Sequence, residues 1–253
     1  MKKPVIVVGI GEMGGVFARG FLRLGHPVYP ITRDMDMQQI AEEISDPAAV
    51  LIAVAEKELP ELINKVPTIW HDKLCLLQNE LLPKDWASLA HQPTVISVWF
   101  EKKPGMDAKV IIPSPVFGKQ AQLLADALKT INISARVLDN SEQLLFELVV
   151  KNLYILTSNI AGLRVGGTVG ELWQQHQAFA NEVVTDIIAL QQMLADTQFD
   201  REPLINAMLA AFDGDPDHKC MGRSAPARLA RALEYAEQFN LTLPTLQAIA
   251  ADQ

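Results

Sequence analysis

The chain has 253 residues, 22 Lys and Arg against 30 Asp and Glu, a formal net charge of −8, and 49% hydrophobic residues. That apolar content excludes a chain disordered along its length, and the size suits one large domain or two modest ones. The acidic balance excludes a protein whose affinity rests on neutralising phosphates, so no nucleic-acid partner is expected. Cys75 and Cys220 lie far apart and form no C-x-x-C motif, which points to a reducing, cytoplasmic setting without a disulfide framework. Lys2 and Lys3 precede an apolar run, but Val5 to Ile10 is short and leads into glycines and Glu12, so no export segment is read there. The nearest approach to a spanning segment, residues 152–163, carries Asn, Thr and Ser, and no membrane partner is expected.

In chain order, short β-branched runs alternate with amphipathic stretches up to residue 139, the signature of a parallel sheet flanked by helices. Strands are expected at 4–9, 27–31, 50–54, 74–78 and 94–98, and helices at 13–24, 37–44, 59–66 and 83–89. Lys102-Lys-Pro-Gly105 marks a turn before a further strand at 109–113, a hairpin candidate with the strand at 94–98. A helix at 119–131 and a strand at 135–138 complete the unit. Beyond Asn140 the strand signal ends, and helices are expected at 141–163, 171–197, 201–212, 226–239 and 243–251. Net charge changes with architecture, from −1 over residues 1–139 to −7 over 140–253. The expected organisation is therefore α/β: a Rossmann-type dinucleotide-binding domain, 1–139, and an all-helical substrate and dimerisation domain, 140–253.

Gly9-Ile-Gly11-Glu12-Met13-Gly14 places G-x-G-x-x-G between an apolar strand and an amphipathic helix. Gly9 permits the tight turn, Gly11 lets the backbone approach a pyrophosphate, and Gly14 lets the helix close on the strand. The helix start then offers unpaired N–H groups and the positive end of its dipole to the anion. A carboxylate at Glu12 would face the phosphates unless it turns to water. At the end of the second strand stand Thr32, Arg33 and Asp34, where a guanidinium suits the 2′-phosphate of NADP and an acid suits NAD. Arg33 makes NADP the expected cofactor; the plainer alternative is a solvated pair with Asp34 or Asp36.

Further residues align in order with one family. The chain resembles ketopantoate reductases, within the 6-phosphogluconate-dehydrogenase-like reductases, in the glycine turn, in Gly25-His26-x-Val28 followed by Thr32-Arg33, and in Gln78-Asn79. The resemblance continues through Lys151, Asn159 and Gly170-Glu171-Leu172. It implies NADPH-dependent reduction of a 2-oxo acid in a cleft between the two domains, with Lys151 as general acid and Asn79 and Asn159 orienting cofactor or substrate. A homodimer is the candidate assembly and a small molecule the candidate substrate. Independently, a ketone accepting hydride builds negative charge on oxygen, which an ammonium stabilises and protonates.

Lys151 interrupts a largely apolar helix, and helical spacing puts Glu147, Lys151, Tyr154 and Ser158 on one stripe with Asn159 on its shoulder. This reads either as a polar seam on a buried element or as a Glu147–Lys151 pair on a solvated face. Ser158 and Asn159 are thus substrate-binding candidates. Ser224, before Ala225-Pro226, suits a helix N-cap and is a third. The chain departs from the family at Ile155, where an asparagine is usual, at Glu80 in place of glycine, and after Gly222-Arg223, where a glutamate is missing. The Asp213–Cys220 cluster reads as an acidic turn, not a metal site, because neither EF-hand nor zinc spacing is present. Cys75 reads as core. Two alternatives stand beside the reductase. One is a β-hydroxyacid dehydrogenase, since Gly11-Glu-Met13-Gly14 also fits that group's turn; the other is a non-catalytic NADPH-binding sensor.

Overall fold

A computed structural model describes residues 1–89 and 91–253. Contacts divide the chain into two compact units, Met1–Leu148 and Val149–Gln253. The first contains, in order, β1 (Val5–Val8), α1 (Glu12–Arg23), β2 (Val28–Ile31), α2 (Met37–Glu43), β3 (Ala49–Ile52) and α3 (Leu59–Ile63). It continues with β4 (Leu74–Gln78), β5 (Thr94–Ser97), β6 (Phe100–Glu101), β7 (Lys109–Val110), β8 (Ser114–Phe117), α4 (Ala121–Lys129) and β9 (Ala135–Val137). Seven strands form one sheet in the order β2-β1-β3-β4-β5-β8-β9, parallel except where β8 runs antiparallel to β5. This is the Rossmann-type α/β architecture. β1 and β3 are completely apolar and buried, as strands covered on both faces must be. On one face α1 and α4 pack through Phe17, Phe21, Leu124 and Leu128. Gly20 permits their approach, since a Cβ there would meet the Ala127 carbonyl oxygen at 2.5 Å.

The second architecture is helical: α5 (Ser141–Val165), α6 (Val169–Gln175), α7 (Gln177–Ala195), α8 (Arg201–Gly214), α9 (Ala225–Gln238) and α10 (Pro244–Ala251). By length and composition α5 could cross a membrane, but 72% of its most apolar window is buried inside the protein. Every residue from 148 to 162 is buried, which is the pattern of a central core helix.

Several expectations are corrected. Residues 109–113, 83–89 and 171–197 differ from expectation, while the contact units part at Leu148, inside α5, where the expected domain boundary is 139; Glu147 accepts a hydrogen bond from Arg136 Nη2 at 2.6 Å. Residues 83–89 hold only a 3-10 turn, Pro83–Trp86, closed by Asp85 accepting the Leu82 N–H at 2.7 Å. The strand at 109–113 shortens to β7 and pairs with β6, not β5. β8, which contains Pro115 and follows Pro113, was not expected. The helix expected over 171–197 breaks at His176, whose backbone leaves the helical region and separates α6 from α7.

Candidate functional site

The chain leaves β1 for β2 on one side and returns to β3 on the other, so the strand order reverses at the carboxyl ends of β1 and β3. Such a switch point opens a crevice in parallel sheets. A cleft of about 550 Å³ lies there, lined by Gly9, Gly11, Thr32, Arg33, Ala53 and Glu58 among others. Gly9 has φ +87°, and a Cβ on it would stand 2.7 Å from the Ala53 carbonyl oxygen; one on Gly14 would stand 2.0 Å from the Gly9 carbonyl oxygen. A Cβ on Gly11 would meet nothing within 4 Å, leaving open space over the turn. The three glycines therefore divide as their spacing implies: two hold strand and helix together, and one keeps the approach to the helix start clear. Gly11 is the N-cap of α1 and offers no side chain to its first N–H groups. These residues fit a dinucleotide's diphosphate.

A second cavity of about 350 Å³ shares Ile31, Thr32, Arg33, Val54 and Glu58 with the cleft and adds Met35, Met37 and Leu62. Arg33 does not pair with Asp34 or Asp36, the partners considered from sequence. Its Nη2 lies 2.8 Å from Glu58 Oε1, and Asp36 instead accepts the Gln38 N–H at 2.8 Å as the N-cap of α2. Thr32 is exposed beside Arg33. Glu12 is turned neither into the cleft unpaired nor simply to water, because Lys102 Nζ lies 3.0 Å from its Oε2. Lys102 also donates to the Lys103 carbonyl at 2.8 Å. The strand just before it, β6, is anchored by Phe100, whose ring centroid is 6.2 Å from that of Phe17 on α1.

The remaining residues expected to bind cofactor divide. Met13 packs its side chain against the apolar core, leaving its backbone N–H as the group at the helix start. Gln78, the last residue of β4, is 0% exposed and its side-chain amide forms no hydrogen bond. Asn79 is half-buried, and Glu56 Oε1 accepts its N–H and that of Glu80, both at 2.8 Å. Burial raises the Glu56 carboxyl above its ordinary range, opposed by the hydrogen bonds from Glu80 and Asn79. Lys102, Lys57, Glu56 and Glu58 were missed in the sequence, where 56–58 looks like a solvated charge run.

In the helical unit Lys151 is 6% exposed, with Nζ 5.7 Å from the Tyr154 ring centroid. The solvated-face reading is thereby excluded. Tyr154 in turn contacts Phe212 and His218, with centroids 5.5 and 6.0 Å away. The Ser158 hydroxyl donates back along α5, lying 2.8 Å from the Tyr154 carbonyl oxygen. Asn159 Oδ1 accepts from Arg228 Nη1 at 3.0 Å. A Cβ on Gly222 would stand 3.5 Å from the same oxygen, so Asn159 faces the 222–228 segment. Ser224 is exposed at the start of α9 but forms no side-chain cap, because its backbone is already helical; its carbonyl accepts the Arg228 N–H. Arg228, missed in the sequence, is one helical turn from Ser224. Glu171 serves locally in a reciprocal cap with Thr168. Among the described residues no three His, Cys, Asp or Glu side chains gather as metal ligands, and the acidic 213–220 loop docks its carbonyls on Val169 and Gly170. Both cysteines are buried and free; burial pushes the Cys220 thiol up to about 11 and Cys75 further still.

No protein-family model and no curated protein matches the chain in sequence. Solved structures share its fold along nearly the whole length, and ketopantoate reductases recur among them. A PanE/ApbA family ketopantoate reductase from Ralstonia eutropha JMP134 superposes with TM-score 0.67 at 13% identity, covering 99% of this chain and 96% of that one. The dimeric ketopantoate reductase from Staphylococcus aureus gives 0.61 at 17%, covering 98% and 96%. D-mandelate dehydrogenase in complex with NADH gives 0.63 at 14%, also covering 98% and 96%. The chain has the fold of these oxidoreductases.

Proposed function

We propose that the protein is a divergent ketopantoate reductase-like oxidoreductase that uses NADP to reduce a small 2-oxo acid or related carbonyl. The observation that carries the reading is the cleft at the β1–β3 switch point, walled by Gly9 and Gly11 and edged by the Arg33 guanidinium. The N–H groups at the start of α1 receive the diphosphate, and Arg33, with Lys57 near it, receives the 2′-phosphate. Bound NADPH supplies the hydride. Lys151 does the rest of the chemistry: its ammonium stabilises charge growing on the carbonyl oxygen, donates a proton from Nζ to that oxygen, and recovers a proton from solvent. Its buried setting strengthens that field over what water would allow. Asn79 orients the cofactor; Asn159, Ser158 and Ser224 contact the substrate, and Arg228 beside Asn159 offers the fork geometry that suits a carboxylate. The proposed setting is cytoplasmic and the proposed assembly a homodimer, on the precedent of the Staphylococcus aureus enzyme.

Ile155 and the inward-bonded Ser158 hydroxyl favour a second reading, a nucleotide-binding sensor without turnover. A β-hydroxyacid dehydrogenase would keep Lys151 and oxidise 3-hydroxy acids instead. NADPH oxidation against a panel of 2-oxo acids, beside NADP reduction with 3-hydroxy acids, separates the three. Turnover of a 2-oxo acid that falls at least about 100-fold in Lys151→Ala supports the reductase. Tight NADPH binding with no turnover of any substrate leaves the sensor.

A further inference from the structure

We infer that Glu58 is a specificity-determining residue: it competes for Arg33 and so sets the balance between the phosphorylated and unphosphorylated nicotinamide nucleotides. The inference rests on the nucleotide reading above and deepens it. Arg33 Nη2 and Glu58 Oε1 are 2.8 Å apart, and both residues line the larger cleft and the smaller cavity beside it. The pair therefore stands at the junction where a ribose leading from diphosphate to base would pass. The Arg33 side chain is 87% exposed against 37% for Glu58, so the guanidinium is oriented chiefly by this one carboxylate.

The two partners are mounted differently. Glu58 ends a 3-10 turn, Glu56–Glu58, whose first residue is fixed to the N–H groups of Asn79 and Glu80; Leu59 and Ile63, which follow, are buried. Arg33 lies in the exposed loop after β2. When a ligand enters, the guanidinium is the group free to swing and the carboxylate the group that stays. A 2′-phosphate must draw Arg33 from Glu58 and then lie close to the remaining negative charge. A 2′-hydroxyl has the opposite effect, because it donates to Glu58 and leaves the pair intact.

Other nearby acids are engaged or stand outside this wall; Asp34 lines neither cavity. Asp36 caps α2, and Glu61, which lines the smaller cavity, pairs with Lys65 at 2.5 Å. Glu58 is thus the acceptor on this wall that a 2′-hydroxyl would use, and Lys57, in the larger cleft only, adds a second cation to Arg33. The pair is exposed and therefore weak, so neither nucleotide is shut out by it. Arg33 favours NADPH and Glu58 tempers that preference.

The test is a fluorescence titration of NADPH and NADH against the wild type, Glu58→Gln, Arg33→Gln and the double variant, at two salt concentrations. Glu58→Gln should tighten NADPH about fivefold and weaken NADH, with the NADPH gain shrinking at high salt. Arg33→Gln should move the ratio the other way. Arg33 is exposed and Glu58 partly so, and the variants should melt with the wild type. If Glu58→Gln leaves the NADPH-to-NADH ratio where it was while the wild type binds both, this inference fails and the nucleotide reading stands. If the wild type binds neither nucleotide, both fail.

Discussion

Lys102 Nζ sits 3.0 Å from Glu12 Oε2, which puts a cation on the first residue of the helix that follows the glycine turn. Phe100, two residues earlier in β6, packs against Phe17 of α1, so the position follows from core packing. An acid at the start of a helix favours the helix dipole but opposes an incoming diphosphate. Lys102 offsets that opposition. Lys102→Ala should weaken NADPH and NADH alike, by about tenfold, because both carry the diphosphate. Adding Glu12→Gln should restore most of the loss. Titration of the two single variants and the double gives the coupling; additive losses would mean the pair does not act on the nucleotide.

How much of this was legible depends on whether a feature has a period or a motif. β1, the glycine turn and α1 announce themselves because an apolar strand and a 3.6-residue stripe flank glycines of fixed spacing, and Gly9 and Gly14 prove sterically obligatory. β8 hid behind two prolines, whose effect on a strand depends on which side its neighbours bond. Lys102 and Glu58 were invisible for another reason. Each gains meaning only from a residue brought near by the fold, 90 positions away for Glu12 and 25 for Arg33. The burial of Gln78 was not legible in its motif, since no local pattern encodes burial. Lys151 was left between two readings by its helix, and its own burial decided between them.

The glycines can be separated experimentally by what surrounds them. Gly14→Ala forces a Cβ to within 2.0 Å of the Gly9 carbonyl oxygen, so helix and strand must part; a stability loss of about 1–3 kcal/mol and loss of nucleotide binding are expected. Gly11→Ala meets nothing within 4 Å and should leave the melting temperature unchanged while weakening NADPH, because the methyl stands where the diphosphate approaches. Gly15→Ala, also unobstructed and inside α1, should raise stability by about 0.5–1 kcal/mol. Thermal melts beside NADPH titration check all three; a Gly11→Ala variant that binds normally would remove the turn from the diphosphate site.

Glu56 carries a pH dependence with a definite sign. Burial raises its carboxyl above the ordinary range, so between its unfolded and folded values the folded chain holds more proton than the unfolded one. Its contribution is then fully present below the ordinary glutamate range and is lost as pH rises through the raised value. Glu56→Gln removes the titration while keeping an acceptor for the N–H groups of Asn79 and Glu80. Urea midpoints of wild type and variant, compared from about pH 4 to about pH 7, should move in the variant's favour as pH rises. Glu56→Ala should instead cost about 1–3 kcal/mol at every pH, since two backbone donors lose their partner. A midpoint difference between Glu56→Gln and wild type that is flat with pH would show that Glu56 does not titrate there.

Lys151 separates stability from chemistry. Lys151 is 6% exposed within residues 148–162 of α5, a stretch buried throughout, and methionine is an apolar side chain of similar length that fills the same space without opening a cavity. Lys151→Met should therefore melt close to the wild-type temperature and bind NADPH as before, while 2-oxo acid reduction falls by at least about 100-fold. Lys151→Ala should lose the same activity but also stability, because it leaves the space beside Tyr154 unfilled. A purely structural lysine predicts the reverse order for methionine: lower stability, with turnover preserved in the fraction that stays folded. Melting curves, NADPH titration and initial rates on the same three preparations decide between them, and a Lys151→Met variant that still reduces its substrate at the wild-type rate would end the case for this ammonium as proton donor.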